Sequence, residues 1–229
     1  MSDQLSLKQA AAESAAAQVT DGMIVGLGTG STAKWAVDAL GRRVKEGLKI
    51  VGIPTSERTA TQAKELGIPL AGFADYSHID ISIDGADEVQ HGSLDLIKGL
   101  GGALLREKIV ASATKRFIII VDESKLVDKI CSHCPIPVEV VSFGWQLTQM
   151  HLNALGANPV LRMGTDGKPF MSDGGHYILD CKFDPMVAAM PMARELDHVL
   201  GVVEHGLFLG MASEVRVGSA GGVKVINRS

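Results

Sequence analysis

At 229 residues with 46% hydrophobic content, the chain suits one large or two modest domains and can bury a real core. A formal net charge of −4 spreads no basic field, which argues against a nucleic-acid partner, and nowhere do about 18 apolar residues run uninterrupted as a membrane span requires. Its 26 glycines against 4% aromatics fit an α/β enzyme with tight turns rather than a β-sandwich or a disordered chain.

Residues 4–18 are Ala-rich and helix-prone, and Asp21-Gly22 closes that segment with turn chemistry. No apolar leader precedes a cleavage site there, so a cytoplasmic protein is expected. Met23 to Leu27 is a short apolar run of the kind buried on both faces of a parallel sheet, and it opens into Gly28-Thr29-Gly30-Ser31-Thr32. A helix from about Thr32 to Lys45 follows, with Trp35, Ala36, Ala39 and Leu40 on one face and Ser31 or Thr32 as its expected cap. Strand, Gly-rich turn and helix make a phosphate cradle by geometry, because free N–H groups and the positive end of the helix dipole meet at one spot. The dinucleotide fingerprint fails at Ser31 and at Ile53-Pro54, and the P-loop fails because the first lysine, Lys34, already lies inside the helix. A single phosphate held by backbone and hydroxyls survives, beside the plainer reading of a tight βα turn.

A strand from Lys49 to Pro54, then Thr55-Ser56 and a helix of about Glu57 to Leu66, continue the βα rhythm. Past the short extended segment Pro69-Leu70-Ala71, the strand Ile79 to Ile83 runs into Asp84-Gly85-Ala86-Asp87-Glu88. Asp84 and Asp87 can face one pocket, and paired carboxylates raise at least one pKa toward neutrality; a solvated acidic turn is the alternative. Lys98 precedes Gly99-Leu100-Gly101-Gly102, a fixed cation beside approachable backbone, as a developing oxyanion requires. Glu107 then either looks into the pocket or pairs on the surface with Lys108, the second being the default for a helix. The apolar strand Phe117 to Val121 ends in Asp122-Glu123-Ser124-Lys125, which places Lys125 at the same sheet edge.

Beyond Lys129 the character changes. Cys131-Ser132-His133-Cys134 has no second pair at zinc spacing, so an unreactive thiol pair at a domain junction is expected. Strands at Val138 to Val141, Val160 to Met163 and Tyr177 to Asp180, with helices at about Trp145 to Leu155 and Pro185 to Leu196, suggest a small α+β module. His176, beside Gly174-Gly175, carries a surface or interface reading. Val202 to Phe208, Val215 to Val217 and Val223 to Ile226 look like strands returning to the first domain. The expected division is residues 1–129 with 207–229 as the α/β domain and 130–206 as the smaller one.

Six motifs in register, Gly28 to Thr32, Asp84 to Glu88, Ile97-Lys98-Gly99, Arg106-Glu107-Lys108-Ile109, Asp122 to Lys125 and Pro135 to Val140, resemble those of the type A ribose-5-phosphate isomerases. The resemblance implies a Rossmann-like, mostly parallel sheet with a smaller ferredoxin-like or ACT-like α+β domain; the hydrophobic second domain and the returning strands suggest a homodimer or homotetramer. It implies interconversion of ribose 5-phosphate and ribulose 5-phosphate, a step of the non-oxidative pentose phosphate pathway, with no metal and no cofactor. By matching position Glu107 is the base, Asp84 and Asp87 serve ring opening and proton handling, and Lys98 stabilises the oxyanion. Thr29, Gly30, Ser31 and Thr32, with Gly85, Ala86, Gly99, Leu100 and Gly101, hold the substrate, and Lys125 and Lys8 lie near its phosphate. Leu100 departs from the family, which has glycine there, and a positive φ at this position would strain the loop. A sugar-phosphate deaminase, a CoA transferase and a non-catalytic sugar-phosphate sensor are the competing readings; 229 residues leave a CoA groove little room, and the sequence offers no attached DNA-binding helix-turn-helix.

Overall fold

The computed structural model describes residues 2–228, with side chains from Leu5 onward. In chain order the elements are α1 (Ser2–Ala16), β1 (Ile24–Leu27), α2 (Ala33–Lys45), β2 (Val51–Pro54), α3 (Glu57–Glu65), β3 (Ile79–Asp84), β4 (Glu88–Gln90), β5 (Leu96–Ile97), α4 (Leu104–Ser112) and β6 (Thr114–Asp122). There follow β7 (Leu126–Val127), β8 (Ile136–Val140), α5 (Trp145–Ala154), β9 (Asn158–Leu161), β10 (Tyr177–Lys182), α6 (Met190–Asp197), β11 (Val202–His205), β12 (Leu207–Phe208), β13 (Glu214–Ser219) and β14 (Gly222–Asn227).

The main sheet has the order β14-β13-β6-β3-β1-β2, parallel throughout except for the β13–β14 hairpin at its edge. Helices cover both faces of its inner strands: Ile79, Ile81 and Ile83 of β3 are buried on alternate positions with Ser82 buried between them, and Phe117 to Val121 of β6 are buried throughout. Ala11, Ala12, Ala15 and Ala16 let α1 press onto the sheet, so closely that a Cβ at Gly218 of β13 would meet the Leu7 carbonyl at 2.1 Å. The chain moves outward from β1 to β2 and then returns to lay β3 on the other side of β1. At such a switch point the connections diverge and leave a crevice at the strands' carboxyl ends.

A second sheet, β11-β8-β10-β9, is antiparallel and carries α5 and α6, with its own core around Val138, Leu152, Leu179 and Leu196. A third, β12-β5-β4-β7, joins the two. The structure corrects the sequence reading in three places. Val202 to Phe208 is not one strand: Gly206 breaks it, with β11 in the antiparallel sheet and β12 in the joining sheet. The helix expected from Pro185 begins only at Met190, because Met186 exchanges both backbone hydrogen bonds with Ile130 and is held extended. Neither Ser31 nor Thr32 caps α2 with its side chain, and Thr32 already has helical φ and ψ.

Candidate active site

The crevice opens at the ends of β1 and β3. Gly28 donates to the Ile83 carbonyl at 3.0 Å, and Asp84 Oδ1 accepts from the N–H groups of Thr29 (3.1 Å) and Gly85 (2.7 Å). A Cβ at Gly28 would lie 2.4 Å from the Asp84 carboxylate. Gly28→Ala is therefore expected to displace Asp84 and lower kcat by at least about tenfold, with circular dichroism unchanged; wild-type turnover in that variant would refute the close fit. Thr29 contributes backbone only. Its hydroxyl lies in a buried cluster with Thr55, Ser56 and Thr59, at 2.7, 2.8 and 3.0 Å, which ties β1 to the start of α3.

Lys98 follows β5 and sits at the floor, 2% exposed. Its Nζ donates to the Gly85 carbonyl at 2.6 Å and lies 3.0 Å from Asp84 Oδ2 and 3.5 Å from Glu107 Oε2. Phe208 covers its other side, 5.4 Å from ring centre to ammonium. Burial would lower the Lys98 pKa, but the charges of Asp84 and Glu107 outweigh it and raise it, so the ammonium stays charged. Glu107 is 3% exposed, which overturns the helix-surface default, and its neighbour Lys108 turns instead to Glu204 and the His205 carbonyl. Glu107 Oε2 has no hydrogen-bond donor. Burial pushes its pKa up to about 8, opposed by Lys98 and assisted by the charges of Asp84 and Asp87. Burial raises Asp84 too, against Lys98 and two amides.

Gly99 to Gly102 arch over this centre. Gly99 (φ +103°) and Gly102 (φ +84°) occupy the left-handed conformations, whereas Leu100 does not, so the non-glycine residue causes no strain. The Leu100 side chain is 41% exposed, and its N–H donates to Asp87 Oδ2 at 3.0 Å.

The resulting cavity, of about 340 Å³, is lined by Lys98, Glu107, Asp87, Gly85, Ala86, Gly99 and Gly101 on one side. Thr29 to Thr32, Lys8, Lys125 and Arg58 line the other. Asp84 lies beneath the lining and Leu100 points out of it. At the cationic end lies the start of α2, which no side chain caps, beside Ser31 and Thr32. Lys8 reaches in from α1, 3.5 Å from Ser31 Oγ and 4.0 Å from the buried Asp122. Arg58 was not foreseen; it begins the helix after β2, and its proximity follows only once β2 is placed beside β1. A wider open groove of about 690 Å³ between α2 and α3 shares Gly30, Ser31 and Arg58, but its ionisable lining residues, Lys34, Arg58 and Glu65, are exposed.

Glu88, fully buried, accepts the backbone N–H groups of Cys131, His133 and Cys134. The thiols are free, and burial with the Glu88 charge raises both pKa values, that of Cys131 to about 12. Thiolate chemistry is thereby suppressed near neutral pH. His205, pushed down to about 4 chiefly by burial and then by Lys108, accepts the Leu207 N–H at Nδ1 and faces Asp197 with Nε2.

Comparison with known proteins gives this arrangement relatives. The family described as ribose 5-phosphate isomerase A (phosphoriboisomerase A) matches residues 51–222. The ribose-5-phosphate isomerase A of Gloeobacter violaceus is 57% identical over 223 residues, covering 97% of this chain and 96% of its own. That of Gluconobacter oxydans is 55% identical, covering 95% and 94%. Among solved structures, ribose 5-phosphate isomerase A from Methanocaldococcus jannaschii superposes with a TM-score of 0.93 at 40% identity, over 97% of this chain and 99% of that one. A D-ribose-5-phosphate isomerase in complex with phospho-erythronic acid gives 0.94 at 40% identity, over 97% and 98%. Matched in sequence across nearly its whole length and in fold at a strand switch point, the chain belongs to the ribose 5-phosphate isomerase A family.

Proposed function

We propose that the protein interconverts D-ribose 5-phosphate and D-ribulose 5-phosphate through an enediolate, with Glu107 as the base. The observation that carries this is a carboxylate buried in the cavity wall, without a donor on Oε2 and beside a buried ammonium. Such a group costs stability and is suited to taking and returning a proton near neutral pH. Glu107 removes the proton from C2 of the open-chain aldose and delivers it to C1, while Lys98 and the backbone of the glycine loop hold the charge that develops on oxygen. Asp87, which faces the cavity, handles the hydroxyl protons and ring opening, and Asp84 orients Lys98. The cationic end, comprising Lys8 and Lys125 with Ser31 and Thr32 before the positive end of the α2 dipole, takes the phosphate. The reaction is an internal redox exchange carried by proton transfers, so it calls for neither metal nor cofactor.

In a coupled assay with EDTA present, purified protein is expected to form ribulose 5-phosphate; absence of ketose would overturn the reading. Because Glu107 must be ionised to act, kcat/KM should rise with pH through about 8. Asp84→Asn, which removes a charge that raises Glu107, should move that limb to lower pH while reducing kcat. Unphosphorylated ribose should bind far more weakly than ribose 5-phosphate, and equal binding would refute the phosphate end.

The same reading places the protein in the cytoplasm, in keeping with three free thiols. It also treats residues 130–206 as a second domain that meets another copy of the chain. There Phe143 is 93%, Leu200 80% and Met150 67% exposed, an apolar surface that a dimer or tetramer would cover. Sedimentation should show a multiple of 24.2 kDa, and a monomer would reject the assembly.

A further inference from the structure

We infer that Arg162, from the antiparallel sheet, is a positioning residue for the glycine loop: it holds two of the loop's carbonyls outward so that the amides between and after them face the reacting oxygens. This deepens the isomerase reading and rests on it.

Arg162 follows β9 and is nearly buried, its side chain 13% exposed. Its Nε and Nη2 grip Asp180 of β10, the first at 2.9 Å. Its remaining nitrogen, Nη1, donates to both the Gly99 carbonyl (3.0 Å) and the Leu100 carbonyl (3.1 Å). Phe170 stacks under the guanidinium at 5.9 Å and fills the space beside Gly102, where a Cβ would lie 2.4 Å from the ring. The antiparallel unit thus supplies both the fork and the wall behind the loop.

The consequence follows from peptide geometry. No peptide bond in the described chain is cis, so each carbonyl and the N–H across its peptide point in opposite directions. Turning the Gly99 carbonyl to Arg162 turns the Leu100 N–H inward, where it meets Asp87 at 3.0 Å. Turning the Leu100 carbonyl to Arg162 likewise turns the Gly101 N–H inward. Gly101 lines the cavity, and among the described residues its N–H has no hydrogen-bond partner. The Gly102 N–H also donates to the Gly99 carbonyl at 3.0 Å, whereas the Leu100 carbonyl is held by Arg162; together they orient the amide that fixes Asp87 and a free amide aimed at substrate. Asp180 neutralises much of the Arg162 charge, so the effect is geometric. A lysine, a single compact cation, does not reproduce a fork spanning a carboxylate and two carbonyls. The same arrangement accounts for Leu100: its carbonyl is held, its φ is ordinary, and its side chain leaves the site.

The test compares Arg162→Lys and Arg162→Met with wild type, using ribose 5-phosphate as substrate and phosphoerythronate as inhibitor. The inhibitor's planar carboxylate carries negative charge on oxygen, as the planar enediolate does. Loss of positioned donors should lower kcat and raise the phosphoerythronate Ki by about tenfold or more, with KM changed less than about threefold. A merely structural loss lowers the active fraction and leaves Ki and KM untouched. An unchanged ratio of Ki to KM in a folded variant overturns the inference and leaves the isomerase reading standing. Should the wild type form no ketose, that reading fails, and calorimetric binding of phosphoerythronate to the same variants still decides on Arg162. Should neither variant fold, the Gly101 amide resonance of the wild type decides: it is expected to shift on adding phosphoerythronate, and an unmoved resonance rejects the inference.

Discussion

Glu107→Gln is expected to lower kcat by about 10²–10⁴-fold with KM little changed, and at alkaline pH to make the protein more stable. The two effects have one cause. The folded-state pKa of Glu107 is raised to about 8 from an ordinary 4.5, so folding takes up a proton throughout that interval. The unfolded chain has already lost it, and the wild type's stability therefore declines as pH rises from about 4.5 to 8, by an amount on the order of a few kcal/mol. Gln carries no charge at any of these pH values and escapes the decline. Melting curves at about pH 5 and pH 9 should show the variant close to wild type at the first and above it at the second. Undiminished kcat would remove Glu107 as the base. A melting difference independent of pH would remove the raised pKa.

Lys98→Met should be the most destabilising single change in the site. It removes the cation between two buried carboxylates and the donor to the Gly85 carbonyl. Breaking a buried pair from one side costs about 3–5 kcal/mol, because the partner is left charged and desolvated. Turnover should fall by about 10²–10³-fold or more from the lost oxyanion stabilisation. Here too the sign with pH is fixed: without the ammonium, Asp84 and Glu107 hold protons more tightly, so the variant regains part of its stability in acid and loses it as pH rises. A Lys98→Met protein that melts with wild type at about pH 8 would show that the triad is not coupled as the distances indicate.

Much of this site was legible because its parts are local. A strand running into Gly28 to Thr32, and another into Asp84, announce the carboxyl edge of a parallel sheet through apolar runs and turn residues. Lys98 was readable beside its glycines. The depth of Glu107 was not: on a helix, an acidic residue followed by Lys108 reads as a surface pair, and only β11 and β12 show that the two side chains part company. The joining sheet escaped for a similar reason. Its strands are two or three residues long, too short to carry a period, and they pair across distances such as Val89 with Leu126. Arg58 lines the cavity and Arg162 braces its glycine loop from behind, each from an element that packs beside the site without being contiguous with its motifs. The fear of strain at Leu100 proved groundless once Gly99 and Gly102 were seen to take the left-handed positions.

The seat of α1 has a consequence for the order in which a nascent chain becomes an enzyme. Lys8 stands on the first helix, yet that helix rests against β13, the second-to-last strand: Arg216 reaches the carbonyl and hydroxyl of Ser14, and Gly218 lies under Leu7. As the chain extends, α1 can pack on α2 and β6 before residues 214–219 arrive to complete its seat. Lys8 is therefore fixed in two stages, the second only when β13 is laid beside β6, and the cationic end of the cavity reaches its final shape late.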